Sequence, residues 1–515
     1  MFSMFKTSFA MAVMLTVAPS AFSQENTIGV VVSEPGKSPG YTLFAPIVAT
    51  YETFLIDHSG RVINSWTNDN RVANSVYLND KGDLIRTINP GSGSNISAGG
   101  AGGRVERWSW ENELEWSWSH ISNAYRLHHD IEVLPNGNIL MIAWEAKSSA
   151  EVIAAGREPG TFQGGALWPD KIIEVEPFGT GGGNIVWEWH AWDHLIQLYD
   201  PDLPNYGRPS DNPGRIDVNY RLGNQSDWIH SNSIDYNAEL DQIVISSRSF
   251  SEIWVIDHDT TTEEAAGPAG DLLYRWGNPR TYGRGTTADQ VFFAQHDARW
   301  IRPGMPGYPG ITVFNNGNGR PDGNYSSVDQ ILPPLMKDGS YQIENGEPFG
   351  PSEQSWTYDG QDSNSFYSSF ISGAERMPNG NTLICSGAQG QFFEVDAHGN
   401  EVWRYITPLD GSGPMEQGQA PPSGGGVPNT VFRAERYAPE FAGFDGKDMF
   451  PGPPIEIYPA CPADLNFDRK VDGSDLALVL VAWNSTGDTR ADLNGDKLVD
   501  GADLALVLIA WGICL

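Results

Sequence analysis

The chain has 515 residues, 40% of them hydrophobic and 11% aromatic, so a large core is affordable. Its 65 acidic against 32 basic side chains give a formal net charge of −33, a field that repels polyanions and excludes nucleic acid as a natural partner. An anionic small substrate would need a locally positive pocket, while 57 Gly and 35 Pro favour many turns and a β-rich fold.

The first residues combine Lys6, the apolar run "FAMAVMLTV" and the small residues "AFS" near Ser23. That pattern predicts a secretory signal peptide over 1–23, and hence a periplasmic or extracellular protein. No later apolar run reaches the length of a membrane span.

From there to about residue 455 two kinds of segment alternate. One is a hairpin around a tight turn, as in "HHDIEVLPNGNILMIAWE" and "SGAERMPNGNTLICSG". The other ends in a tryptophan-bearing strand, as in "TFLIDHSGRVINSW", "DKIIEVEPFGTGGGNIVWEW" and "GQFFEVDAHGNEVWRY". Two hairpins per repeat make a four-stranded blade, and the repeats predict an all-β, six-bladed β-propeller over 24–455. The stretch 326–389 reads as the least regular blade. Inserts such as 198–225 should lie on one face as loops.

Residues 461–515 form a second unit built on a repeat, "DLNFDRKVDGSDLALVLVAW" and "DLNGDKLVDGADLALVLIAW". Asp464, Asn466, Asp468, Asp472 and Asp475 offer side-chain oxygens at positions 1, 3, 5, 9 and 12, with a backbone carbonyl from Lys470 at position 7. Asp492, Asn494, Asp496, Asp500 and Asp503 repeat the pattern, with Leu498 at position 7. This spacing wraps oxygens around a hard cation and predicts two Ca2+ ions, each loop leading into an apolar helix. Cys461 and Cys514 bracket the unit, a placement that allows a disulfide, whereas Cys385 in "NTLICSG" reads as a buried free thiol. The unit resembles type I dockerins, whose calcium loops end in Asp. That resemblance implies a cohesin-like or cell-surface protein as partner.

Four of the ten histidines lie near the beginnings of the same kind of strand in three successive repeats: His128 and His129, His230, and His296. In a propeller such positions converge on one mouth of the central channel. Imidazoles there could bind a metal, or serve as nucleophile and acid/base. Arg248, one strand pair after His230, would supply planar donors for an oxyanion.

The ordered set "DWIHSNSIDY", "ISSRSFSEIWVID", "QHDA" and "ERMPNGNTLICSGAQGQFFEVDAHGNEVW" is similar to the bacterial arylsulfate sulfotransferases. The resemblance implies a six-bladed propeller, export, and no catalytic cofactor or nucleotide donor. It further implies ping-pong transfer of a sulfuryl group from an aryl sulfate to a phenol through a sulfohistidine. Carried over by motif, His296 is the nucleophile, and His230 and Arg248 hold the sulfuryl oxygens. His230 also protonates the departing phenolate. The third family histidine falls on His129 or His128, with His129 favoured because, like His296, it precedes an Asp. The alternative is a non-catalytic propeller that binds a sulfated ligand and is tethered by its calcium-binding tail.

Overall fold

A computed structural model describes residues 26–514 except 49, 163–164, 222, 224, 363–364, 423–427, 459–460, 469 and 487–488. The segment expected to be a signal peptide lies outside the described residues.

Six antiparallel sheets follow one another around a channel, each with its strands in order from the channel outward. Blade 2 is Val72–Leu78, Leu84–Ile88, Arg104–Trp108 and Leu114–Ser119. Blade 3 is Tyr125–Val133, Ile139–Glu145, Asp170–Phe178 and Gly182–His190. Blade 4 is Ser231–Asn237, Gln242–Ser247, Glu252–Asp257 and Tyr274–Trp276, and blade 5 is His296–Trp300, Ile311–Asn315, Ser327–Ile331 and Trp356–Tyr358.

The two ends of the chain close the ring twice. Blade 1 takes its innermost strand, Val431–Tyr437, from the C-terminal side and pairs it with Tyr41–Pro46, followed by Glu52–Ile56 and Val62–Thr67. Blade 6, built from Gly373–Arg376, Thr382–Ser386, Gln391–Val395 and Glu401–Ile406, gains a fifth, outermost strand, Gly29–Ser33. The stretch 326–389 is therefore not a blade of its own. It holds the outer half of blade 5 and the inner half of blade 6, and the long connection between them blurs the repeat.

The repeated tryptophans have a structural reason. Each belongs to a blade's fourth strand, and its indole N–H donates to a carbonyl of the next blade. Trp66 reaches Ser109 at 2.8 Å, Trp116 reaches Gly182 at 2.7 Å and Trp189 reaches Gly270 at 2.8 Å. Trp276 reaches Pro351 at 2.7 Å, and Trp403 closes the circle onto His58 at 2.9 Å. Trp66, Trp116, Trp189 and Trp403 are fully buried between blades, so one side chain supplies both the apolar area and the hydrogen bond that set the spacing.

The C-terminal unit has its own core, with Leu465, Val471, Val479, Val499 and Val507 buried. Two nine-residue helices, Gly473–Val481 and Gly501–Ile509, pack as twins. Cys461 and Cys514 are joined by a disulfide across 53 positions, and Cys385 is free and buried.

Candidate active site

The innermost strands of blades 3, 4 and 5 do not enter the channel smoothly. His129 (φ 54°), His230 (φ 58°) and Asp297 (φ 55°) have left-handed backbones, each within a residue or two of the register shift in its blade's innermost strand pairing. Left-handed non-glycine residues cost about 1–3 kcal/mol each and collect at functional sites. Here the kinks turn the imidazoles together at one mouth.

His129 and His230 meet with ring centroids 4.6 Å apart. His129 is buried, and Gly100 lies so close that a Cβ there would fall 2.1 Å from its Nε2. His128 takes a different place. Its ring stacks on Trp144 at 4.0 Å, its Nδ1 lies 2.8 Å from Nδ1 of His129, and its Nε2 stands 3.4 Å from Asp170. His128 thus backs His129, and His129 is the one that faces His230.

His230 Nδ1 is hydrogen-bonded to Asp227, three residues earlier in the same motif. Asp227 also accepts from the Trp144 indole at 3.0 Å. Burial works against ionising Asp227, but the His230 hydrogen bond and charge hold its carboxyl below the ordinary range. The Arg248 backbone N–H donates to His230 O at 3.3 Å, which ties the arginine to the histidine's strand. Among the described residues the Arg248 guanidinium forms no ion pair. Burial, then Arg221, lowers its pKa, yet a guanidinium stays charged.

His296 is buried at the start of blade 5, with its Nδ1 2.7 Å from the Asn316 side-chain oxygen. The Ile371 backbone N–H donates to its Nε2 at 3.2 Å. Burial pushes the His296 pKa well down, and Arg248, His230 and Arg433 push it further, overcoming the Asn316 hydrogen bond. His129 is pushed down in the same way, by burial and then by His230, His128, His296 and Arg248. Imidazoles kept neutral, a guanidinium without an ion pair among the described residues and a carboxylate occupied by His230 and Trp144 leave donors that can face an anion in a protein of charge −33.

Asp130 and Asp297 follow His129 and His296 but turn away from them, to Arg433. Beyond that layer a cavity of about 310 Å3 opens at the opposite mouth, lined by Glu132, Asp235, Arg299, Arg302 and Glu375 among others. Four participants in the site escaped the sequence reading: Asp227, Asn316, Ile371 and Arg433. Asp227 alone had a local signal, its place three residues before His230.

In the C-terminal unit the expected cation ligands shape their own loops. Asp475 accepts from Leu465 N–H at 2.7 Å and Asp472 N–H at 2.9 Å, and Asp503 repeats this with Leu493 and Asp500. Asp472 and Asp500 cap the two helices. Asn466, Asp468, Asn494 and Asp496 line the turns, where Phe467 and Lys497 are left-handed. Asp464 and Asp492 accept from Asp468 and Asp496 N–H at 3.1 Å each. Among the described residues no three His, Cys, Asp or Glu are gathered as a metal site. The donors are nonetheless all oxygen, of the type and order that suit calcium.

A propeller whose channel mouth gathers neutral histidines around an arginine without an ion pair among the described residues can hold a small anion. The family model for arylsulfotransferase (ASST) matches residues 42–406, and the chain belongs to that family. A type I dockerin domain matches residues 462–508, a type of domain that implies calcium binding. No curated protein matches the sequence. Among solved structures, a protein of unknown function from Bacteroides caccae is 11% identical, with a TM-score of 0.41 over 77% of this chain and 98% of that one. Virginiamycin B lyase from Staphylococcus aureus is 9% identical, with a TM-score of 0.32 over 74% and 88%.

Proposed function

We propose that the propeller transfers a sulfuryl group from an aryl sulfate to a phenolic acceptor in two steps, through a sulfated His296. The observation that carries this reading is the neutral, hydrogen-bonded His296 beside the unpaired Arg248. The Asn316 side-chain oxygen accepts from Nδ1–H, which leaves the Nε2 lone pair for attack. Nε2 bonds to sulfur as the sulfur–aryl oxygen bond breaks, and the electron pair leaves on the phenolate. His230, its Nδ1–H held by Asp227, gives the phenolate a proton from Nε2. Arg248 and His129 face the sulfuryl oxygens, where charge accumulates during transfer. In the second step the acceptor hydroxyl gives its proton to His230, its oxygen bonds to sulfur, and the sulfur–nitrogen bond breaks. The Ile371 N–H must release Nε2 before attack, and it then becomes a donor beside the sulfuryl oxygens.

The tail carries a separate role. Asp464, Asn466, Asp468, Asp472 and Asp475 with the Lys470 carbonyl would hold one Ca2+. Asp492, Asn494, Asp496, Asp500 and Asp503 with the Leu498 carbonyl would hold a second. Bound calcium would neutralise carboxylates that otherwise repel, and the folded unit would dock a cohesin-like or cell-surface protein outside the cytoplasm.

The test mixes the full chain with p-nitrophenyl sulfate and phenol, without nucleotide. Nitrophenol release that rises with phenol, with the sulfuryl mass on His296 after donor alone, is the expected result. Tight binding of aryl sulfate without turnover would overturn it in favour of a sulfate-binding propeller.

A further inference from the structure

We infer that Arg433 is a positioning residue for the reaction proposed above, fixing His129 and His296 relative to each other from beneath. The inference rests on that reading of the site. Arg433 lies on Val431–Tyr437, the strand that closes blade 1, beyond the segment that the family model matches. Its side chain is only 4% exposed and crosses to two other blades. Nη1 stands 2.8 Å from Asp130 of blade 3, and Nε stands 3.0 Å from Asp297 of blade 5. These carboxylates belong to the residues that directly follow His129 and His296.

Both carboxylates are also tied sideways. Asp130 accepts from Ile234 N–H of blade 4 at 3.2 Å, and Asp297 accepts from Ala374 N–H of blade 6 at 2.8 Å. Tyr77 of blade 2 donates to Asp130 at 2.7 Å and accepts from Arg433 at 2.5 Å. One guanidinium therefore links strands of all six blades, directly or through its two carboxylates. Phe432, next to Arg433, faces the His129 ring with centroids 6.4 Å apart. Closing the propeller and setting the two histidines in register are one event.

The link is electrostatic as well as mechanical. The charged and titratable groups that act on His296 are Arg248 and His230 from blade 4 and Arg433 from blade 1, with His129 from blade 3 coupled to it, while Asp297 on its own strand is turned to Arg433. Arg433 helps keep His296 neutral and also neutralises Asp130 and Asp297. Without it, Asp130 would lose its arginine and Asp297 would keep only Arg299, 2.7 Å away, so the net negative charge left beneath the ring would draw a proton onto it.

The test compares the full chain with Arg433→Met and Arg433→Lys, reading kcat, donor KM and the His296 ring titration by 15N NMR. Arg433→Met should lower kcat about 100-fold, because small displacements of reacting groups cost that much, with donor KM changed less than about threefold. Its His296 titration should move upward. Arg433→Lys should keep the titration near the parent's and recover part of kcat. A folded Arg433→Met with kcat within about threefold of the parent and an unmoved titration would overturn the inference. If Arg433→Met does not fold, the neutral triple variant Asp130→Asn, Arg433→Met, Asp297→Asn decides: a kcat at least about tenfold down supports the inference, and parental kcat overturns it. If the parent itself turns over no aryl sulfate, the proposed function falls. The titration shift in Arg433→Met then judges Arg433 alone: an upward shift supports the inference and an unmoved titration overturns it.

Discussion

Asn316 fixes the tautomer of His296. Its amide nitrogen donates to the carbonyls of Ser368 at 2.7 Å and Ile371 at 3.0 Å, so its oxygen must be the atom that faces the ring 2.7 Å away. The reversed amide would set oxygen against two carbonyl oxygens. Nδ1 therefore carries the proton, and Nε2 keeps its lone pair. Asn316→Asp should raise the His296 pKa by pairing a carboxylate with the imidazolium, moving the acid limb of kcat/KM to higher pH. Asn316→Ala should lower kcat about 10–100-fold with little change in donor KM. Steady-state kinetics from pH 5 to 9 (about the range where imidazole changes charge) reads both effects.

Arg248 is tied to His230 through its backbone, yet its guanidinium has no carboxylate partner among the described residues. In the proposed reaction a charge held ready in this way acts on the transferring group. Arg248→Met should cost about 100–1,000-fold in kcat/KM for aryl sulfates. Arg248→Lys should recover part of that, since it keeps the charge but loses the planar pair of donors. Equal kcat/KM for Met, Lys and parent would show that the arginine is not at the site.

These two arginine and asparagine cases show where sequence reading succeeds and where it stops. The alternation of hairpins and tryptophan strands was legible because a fourth-strand tryptophan has the same job at five of the six blade junctions. His129, His230 and His296 were legible because the repeat puts each where a blade's innermost strand begins or bends. The strands Gly29–Ser33 and Tyr41–Pro46 were not recognised, since each pairs with a partner from the far end of the chain. Asn316 and Arg433 were invisible for the same reason: their meaning lies in contacts 20 and 303 positions away. A regular strand would have left Asp130 and Asp297 merely on the opposite face. The left-handed turns at His129 and Asp297 are what accompany their carboxylates to Arg433, and nothing in the local sequence announces a bulge.

Acid should loosen the propeller through its buried histidines. His120 is stacked on Tyr125 at 4.0 Å and on Trp118 at 5.5 Å, and burial pushes its pKa down to about 3. The unfolded chain takes up a proton near its ordinary value while the folded ring does not. Stability is thus lost as pH falls from about 6.5 towards 3, by roughly 2–3 kcal/mol at pH 4.5. His129 and His296 act in the same direction. His120→Gln should narrow the difference between urea midpoints at pH 7 and pH 4.5, because Gln has no proton to gain. An unchanged difference would place the acid sensitivity elsewhere.

Calcium removal should unfold the tail and spare the propeller. The tail's helices have nine residues each, too short to persist alone, and each buries few side chains. Val481 and Ile509 remain 86% and 81% exposed, so their apolar faces contribute little to holding the unit. Four Asp side chains per loop repel one another once the cation is gone. The Cys461–Cys514 disulfide limits the unfolded chain but does not neutralise those charges. Chelation should therefore abolish the tail's helical circular dichroism and open residues 464–514 to protease, while reduction alone with calcium present should leave it folded. Sulfuryl transfer should stay within about twofold, because the contact from the propeller is slight: Arg61 donates to the Asn466 carbonyl at 3.3 Å, and its main partner is Asp57 at 2.9 Å. Loss of transfer on chelation, with the propeller still resistant to protease, would mean that the tail's fold reaches the channel through the Arg61 edge of blade 1, and Arg61→Ala would then reproduce that loss with calcium bound.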